Sequence, residues 1–179
     1  MAYIKKIIGK RIALGIMEAD GAERCAKWMN DLTVTDNLGT TFNIYTVEAE
    51  KNWIINNARE YQFAIIRLED EQWIGNCGLH AINQISQCAE VGIFIGDDEN
   101  RNQGYGREAL SLLIDYAFDS LNLHSLMLQV FSFNEQAISC YKKVGFEEMG
   151  RRRESYYAKG QFHDTVYMDI LREDWRKRC

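Results

Sequence analysis

The sequence predicts an α/β fold in which helices flank a mixed, mostly antiparallel sheet. Two observations carry this prediction. Three β-rich runs follow one another between residues 61 and 96 with short polar turns between them, which is typical of an antiparallel meander. A long amphipathic segment then separates the last of these runs from a strand-like run at residues 125–131. Because a strand, a helix and a next strand form a right-handed parallel unit, we expect one parallel pair within the sheet.

The N-terminal elements are predicted from local signals. Residues 10–16 have the composition of a first strand, and residues 18–29 combine an acidic first turn with helical apolar spacing. Residues 31–44 are rich in Thr, Asn and Asp and indicate a loop, a kind of segment that often carries specificity. Thr46 is placed to cap the next helix, whose apolar face includes Trp53.

The C-terminal elements follow from the same kind of signal. The long amphipathic helix is expected to begin at Arg107, and Asn134 is placed to cap a shorter helix that ends at Gly145. Residues 147–157 and 162–171 are predicted to form the last two strands. The expected order of elements is therefore β-α-α-β-β-β-α-β-α-β-β.

Length and charge limit the classes of function. No linker, repeat or low-complexity tract divides the chain, so we expect a single domain over residues 1–179. The 21 basic and 26 acidic residues give a net charge of −5, which argues against a nucleic-acid partner because phosphate neutralisation needs a basic surface. An acidic chain favours a cationic substrate such as a polyamine.

The cysteines and hydropathy indicate a cytoplasmic protein. The chain has five cysteines, an odd number, and lacks a C-x-x-C or Cys/His ligand cluster. We therefore expect reduced thiols and no metal site. The N-terminal residues do not form a signal peptide, and no run of about 18 apolar residues would cross a membrane.

The segment Arg101–Gly106, which reads R-N-Q-G-Y-G, is the most informative part of the chain. It lies between the apolar run Val91–Ile95 and the start of the long helix. Glycines let backbone N–H groups converge on an anion, and the first turn of a helix offers unpaired donors at its positive end. The pattern is neither the dinucleotide G-x-G-x-x-G nor the P-loop, but it predicts a phosphate site.

Three motifs together resemble the GCN5-related N-acetyltransferase (GNAT) superfamily. Arg101–Gly106 is similar to its pyrophosphate loop, Q/R-x-x-G-x-G/A, and Ser132–Phe146 is similar to its N-x-x-A/S…Y…G-F signature. Leu121–Ser125 resembles a segment of the subgroup that holds RimJ/RimL-like ribosomal-protein N-terminal acetyltransferases and spermidine acetyltransferases. The resemblance covers residues 88–171 and implies a central sheet whose middle strands splay apart.

The resemblance implies acetyl-CoA as co-substrate, without a metal. The backbone of residues 93–95 would pair with the pantetheine arm as an added strand, and the amides of residues 103–107 would hold the pyrophosphate. The residues expected to bind the cofactor are Ile93, Phe94, Ile95, Arg101, Asn102, Gln103, Gly104, Tyr105, Gly106, Arg107 and Asn134.

Two side chains are the candidates for acid–base chemistry. Tyr141 stands where the family places the phenol that protonates the departing thiolate, and a phenol of pKa ~10 suits a thiolate of similar basicity. Glu90, at the start of the strand beside the expected thioester, is a candidate base for the amine proton. The resemblance thus implies acetyl transfer to a primary amine by direct attack in a ternary complex.

The sequence leaves several alternatives open. Tyr141 is also compatible with a packing role in the core, and Glu90 with a solvated surface charge. Asn134 could act only as a helix cap. The basic run Arg151–Arg153 could form a solvated strand edge or contact the phosphates of the coenzyme. A protein N-terminus and a polyamine compete as acceptor, with an aminoglycoside-type drug as a third class. From another class, the fold could serve as a non-catalytic acyl-CoA sensor or interaction module, although an intact Tyr141 and pyrophosphate loop argue against this alternative. A homo-oligomer is compatible with all of these.

Overall fold

The computed structural model describes residues 3–57 and 61–178, so Cys179 lies outside the described residues. Its strands are β1 Lys5–Ile8, β2 Ile12–Gly15, β3 Gln62–Arg67, β4 Gln72–Asn83, β5 Cys88–Ile95, β6 Ser125–Phe131, β7 Glu147–Ala158 and β8 Gln161–Leu171. Its α-helices are α1 Ala22–Met29, α2 Leu32–Thr35, α3 Val47–Asn56, α4 Tyr105–Asp115, α5 Glu135–Val144 and α6 Arg172–Arg176.

The strands form one open, mixed sheet in the order β1-β2-β3-β4-β5-β6-β8-β7. β1 to β4 pair antiparallel in sequence, and β8 pairs antiparallel with both β6 and β7. β5 and β6 are parallel, which confirms the predicted strand–helix–strand unit. Their register runs only from Cys88↔Ser125 to Glu90↔Met127, although both strands continue further, as the expected splay requires.

Residue contacts divide the chain into two compact units. The first comprises residues up to 79 together with 93–113, and its core packs α1 and α3 against β2, β3 and β4. Trp28 is central to this core, with its ring centroid 6.4 Å from that of Trp73 and 5.9 Å from that of Phe94, both in edge-on geometry. The buried members of the cluster are Met17, Ala22, Cys25, Trp28, Ile54, Ala64, Ile66 and Trp73.

The second unit comprises residues 80–92 and 114–179. Its core follows from the alternation of β6, in which Leu126, Leu128 and Val130 are buried. The antiparallel register places these side chains opposite Ile170, Met168 and Val166 of β8, which are also buried. Cross-strand apolar pairs of this kind are the unit of sheet stabilisation.

Two helix caps confirm the sequence predictions. The hydroxyl of Thr46 accepts a hydrogen bond from the backbone N–H of Ala49 (3.1 Å), and the side-chain oxygen of Asn134 accepts one from that of Ala137 (3.1 Å). At the end of α5, Gly145 adopts φ +129° and donates its N–H to the carbonyl of Tyr141 (2.9 Å). The helix boundaries of α3 and α5 were therefore readable from single residues.

Three predictions need correction. The strand predicted at residues 10–16 forms as β2 and begins only at Ile12, because the N–H of Gly9 bonds the carbonyl of Ile12 (2.9 Å) and turns the chain there, and the preceding strand β1 was not predicted. The predicted loop at residues 31–44 contains the short helix α2, since the Asp31 carboxylate caps the N–H of Thr33 (2.8 Å). The long helix begins at Tyr105 rather than Arg107, because the N–H of Glu108 already bonds the carbonyl of Gly104 (3.1 Å).

Within residues 3–57 and 61–178, none of the helices combines the length and the apolar character that a membrane crossing requires.

Candidate active site

The turn between β5 and α4 presents a row of unpaired backbone donors. Asn102 and Gly104 adopt positive φ angles of +61° and +83°, which fold the chain tightly before α4. Since the first intrahelical bond of α4 runs from Glu108 to Gly104, the N–H groups of Tyr105, Gly106 and Arg107 have no intrahelical acceptor. Converging N–H groups at the positive end of a helix are suited to bind an anion, so this turn is a candidate anion site, and the phosphate site expected here stays a prediction.

Arg11, in the β1–β2 turn, holds this segment in place. Its Nη2 donates a hydrogen bond to the carbonyl oxygen of Gln103 (2.8 Å), and its guanidinium carbon lies 4.7 Å from the centre of the Tyr105 ring. Because a trans peptide points its C=O and N–H in opposite directions, this bond directs the N–H of Gly104 away from Arg11. Arg11 therefore orients one of the donors of the anion site.

Glu108, in the first turn of α4, ties the helix to the same β1–β2 turn. Its Oε1 accepts hydrogen bonds from the backbone N–H groups of Lys10 (2.7 Å) and Arg11 (2.8 Å), with a longer one from Ile12 (3.3 Å). Burial raises the pKa of Glu108, but these donors outweigh the burial and hold its pKa below the ordinary value. The carboxylate thus stays ionised and fixes the start of the helix.

Arg101 uses its side chain within the turn itself. Its guanidinium donates to the carbonyl oxygens of Ile95 (3.2 Å) and Gly96 (2.7 Å) and pairs with Asp98. These bonds close the chain between the end of β5 and the anion site. Arg101 therefore contributes to the shape of the site through the backbone, while Gln103 and Arg107 remain exposed beside it.

Tyr141 lies on α5 in the second unit. The ring is partly buried, with its centroid 6.1 Å from that of Phe146. Among the described residues, no group hydrogen-bonds its hydroxyl, and this oxygen is not sealed from solvent. Burial, with a smaller contribution from Cys140, raises the pKa of Tyr141, so the phenol stays protonated at neutral pH. A protonated, unpartnered phenol is suited to donate a proton.

Asn134 and Glu90 belong to the same unit. Asn134 uses its side-chain oxygen as the cap of α5, and its amide nitrogen has no partner among the residues that the structure describes. The cap and a ligand contact are therefore compatible. Glu90 lies on β5, where its Oε1 accepts a hydrogen bond from Nε2 of Gln129 (2.9 Å). This bond leaves the second carboxylate oxygen available to accept a proton.

The predicted site residues thus fall into two groups along the chain. Residues 93–107 lie in the first unit, and Glu90, Asn134 and Tyr141 lie in the second. The sequence did not single out Arg11 or Glu108. Glu108 could have been identified as a helix-start residue, because acidic residues are favoured in the first turn of a helix. No local sequence pattern indicates the role of Arg11. In the described parts of the chain, no group of three His, Cys, Asp or Glu residues could hold a metal ion.

The chain is similar to several known acetyltransferases. The putative ribosomal N-acetyltransferase YdaF of Bacillus subtilis is 28% identical over 94% of this chain and 95% of its own. Spermidine N(1)-acetyltransferase of Vibrio cholerae is 28% identical over 73% of this chain and 68% of its own. The fold is shared with a crystal structure of the spermidine N-acetyltransferase from Vibrio cholerae in complex with CoA and spermine. The TM-score is 0.84 at 24% sequence identity, and the match covers 94% of this chain and 99% of that chain.

The family model for the acetyltransferase (GNAT) domain matches residues 11–147, a span that includes the Arg101–Gly106 turn, Asn134 and Tyr141. This span is well over half of the chain. The mostly antiparallel sheet with its parallel β5–β6 pair agrees with the fold that the sequence predicted. The chain belongs to the GNAT acetyltransferase family.

Proposed function

We propose that this protein transfers the acetyl group of acetyl-CoA to a primary amine, and that residues 1–179 act as a single N-acetyltransferase domain. The observation that carries the proposal is the row of N–H groups at the start of α4 that have no intrahelical acceptor, next to the Gln103 carbonyl that Arg11 holds. A pyrophosphate is the ligand that such a row would hold in a member of this family. The carbonyls and amides of residues 93–95 would bind the pantetheine arm as an added strand.

The reaction needs no covalent intermediate on the enzyme. The neutral amine attacks the thioester carbonyl, the C–S bond breaks, and the amide forms. Tyr141 gives its hydroxyl proton to the departing thiolate, a role that is supported by the lack of a hydrogen-bond partner for this hydroxyl among the described residues. Glu90 takes the proton that the amine loses, directly or through water. The Nδ2 of Asn134 would donate to the cofactor near its pantetheine.

The relatives leave two classes of acceptor, since one is named for ribosomal proteins and the other for spermidine. A coenzyme A release assay distinguishes the classes when it is run with spermidine, spermine, short peptides with free N-termini and an aminoglycoside. We expect release with one of the amine classes. If the protein binds coenzyme A tightly but releases none with any amine, a non-catalytic acyl-CoA sensor replaces the enzyme.

A further inference from the structure

The imidazole of His80, near the end of β4, lies over the backbone of Gly92 in β5. A Cβ atom added to Gly92 would be 2.9 Å from Nε2 and 3.3 Å from Cδ2 of the imidazole, both closer than ordinary van der Waals contact. The imidazole therefore fills the space that a side chain at position 92 would take. Because the glycine admits the ring, the position of His80 depends on Gly92.

This ring lies on the same face of the sheet as the carboxylate of Glu90. Side chains alternate along a strand, and in β5 Ala89 and Val91 are buried whereas Glu90 between them is half-buried. Positions 90 and 92 therefore share the face opposite to the buried one. At a rise of ~3.3 Å per residue, these two positions are about 6.6 Å apart, a gap that one water molecule can bridge.

The other polar groups on this face of the second unit come from β6 and β8. Nε2 of Gln129 donates a hydrogen bond to Oε1 of Glu90 (2.9 Å) and thereby orients the carboxylate. Across β6, the strand register places Tyr167 and Asp169 of β8 on the same face. The strands β4, β5, β6 and β8 contain no lysine or arginine. Among these strands, the carboxylate of Glu90 thus has a neutral amide as its partner and no fixed cation.

His80 and Glu90 lie close in the chain to residues of the candidate cofactor strand. Gly92 directly precedes Ile93, the first residue proposed to pair with the pantetheine arm. On the other side of His80 in the chain, Ala81 adopts φ +47°, a left-handed conformation that residues with a Cβ rarely take. Residues held in such conformations cluster at active and ligand sites. Both observations favour a functional role for the imidazole.

We propose that Glu90 and His80 form a proton relay, in which Glu90 takes the proton that the ammonium form of the acceptor loses and His80 passes it to solvent. This inference rests on the proposed acetyl transfer. The proton on Glu90 moves through a bridging water to Nε2 of His80, whose side chain is exposed, and leaves from there. The nitrogen loses its second proton after attack, and that proton returns through solvent to Tyr141, which has protonated the thiolate. One proton is therefore released for each acetyl group transferred.

The test is the pH dependence of coenzyme A release in single turnovers. The substrates are acetyl-CoA with spermidine or a short peptide with a free N-terminus, whichever the parent acetylates. His80→Gln should slow release at least tenfold near neutral pH and should approach the parent at high pH, where hydroxide accepts the proton. The control is His124→Gln, which removes another exposed histidine of the same unit and should match the parent at every pH.

Three further measurements separate a relay from a packing role. The double variant His80→Gln/Glu90→Gln should be no slower than Glu90→Gln alone, because residues that act in one sequence of steps are not additive. Gly92→Ala keeps the imidazole but displaces it, so this variant should reproduce the loss of His80→Gln while calorimetry shows coenzyme A affinity within a few-fold of the parent. Added imidazole should restore release in His80→Ala and leave the parent unchanged.

Each outcome decides a different claim. If the pH profile of His80→Gln parallels that of the parent, or if imidazole restores nothing in His80→Ala, His80 only packs against Gly92 and the relay is overturned. Losses that multiply in the double variant mean that the two groups act independently, which also overturns the relay. If the parent binds coenzyme A but releases none with spermidine, spermine or peptides, the acetyl transfer itself fails before any variant is compared.

Discussion

Gly104 occupies a backbone conformation that only glycine adopts readily, with φ +83°. An aspartate there would add strain and place a negative charge among the donors of the anion site. We expect Gly104→Asp to weaken coenzyme A binding at least tenfold, about 1.4 kcal/mol or more, as measured by calorimetry. Gly160→Asp is the matched control, because Gly160 has φ +84° and a Cβ added there would meet no heavy atom within 4 Å.

The control separates strain from charge at the site. Both variants carry a positive-φ aspartate and the same new carboxylate, although a Cβ at residue 104 would also lie 3.1 Å from Nη2 of Arg11. Urea titrations of both variants show whether each one is folded and how much stability it loses. Only Gly104→Asp should lose the cofactor. Equal coenzyme A affinity in the folded Gly104→Asp variant and the parent would show that the pyrophosphate lies elsewhere.

Tyr141 offers a proton from a hydroxyl that no described residue engages. Tyr141→Phe keeps the ring that packs near Phe146 and removes only the donor. Since general acids contribute roughly 10²–10⁴-fold, kcat should fall by that order while coenzyme A affinity changes little. Single-turnover kinetics would report the chemical step directly. Near-normal single-turnover rates in this variant would return Tyr141 to the role of a packing aromatic.

The residues of the candidate site differ in whether the sequence alone could identify them. Asn134 and Tyr141 could be proposed as candidates because a local motif places each one at a fixed point of a helix. Arg11 was missed because its partner, the carbonyl of Gln103, is 92 residues away in sequence.

At the scale of elements, one carboxylate joins the β1–β2 turn to α4. Glu108 collects backbone N–H groups from three consecutive residues, so Glu108→Gln should lose about 1–3 kcal/mol of unfolding free energy. Because the pKa of Glu108 is lowered in the folded state, its contribution is present above the unfolded-state pKa and is lost as pH falls through the folded-state pKa.

Urea titrations at several pH values test this prediction. The difference between parent and Glu108→Gln should be largest near neutral pH and should shrink once the pH falls below the ordinary value of 4.5. Glu99→Gln, an exposed carboxylate of the preceding turn, serves as control and should match the parent throughout. A difference that stays constant from neutral to acid pH would mean that Gln satisfies the donors differently, not that the charge matters.

Element boundaries were predictable where one residue decides them. The caps at Thr46 and Asn134 are examples. The strand β6 also has the predicted span, residues 125–131. The hairpin of β1 and β2 was not predictable from local sequence. The segment Lys5–Ile8 is only half-buried, and it forms a strand because it pairs with β2. Tyr116–Ser120 adopts a π-helical turn that helical periodicity does not distinguish from an α-helix.

At the scale of the whole molecule, the order of elements was sufficient to predict the class of sheet and its parallel pair. It did not predict that contacts divide the chain into two compact units, since this depends on contact density rather than on periodicity. The proposed function assigns roles to residues of both units, since the residues proposed to hold the pyrophosphate belong to the first unit and Tyr141 belongs to the second. It therefore predicts that coenzyme A binding protects amides of both units from exchange.

Hydrogen exchange with and without coenzyme A tests whether the cofactor stabilises both units. At a hundred times Kd, a ligand that binds only the native state adds about 2.7 kcal/mol to the free energy of unfolding. We expect this increase in amides of β3, in the first unit, and equally in amides of β6 and β8, in the second. Gly104→Asp at the same coenzyme A concentration should show a smaller increase in both. If protection rises in the first unit alone, residues 1–179 do not behave as a single cofactor-linked domain, and the roles proposed for Asn134 and Tyr141 fail with it.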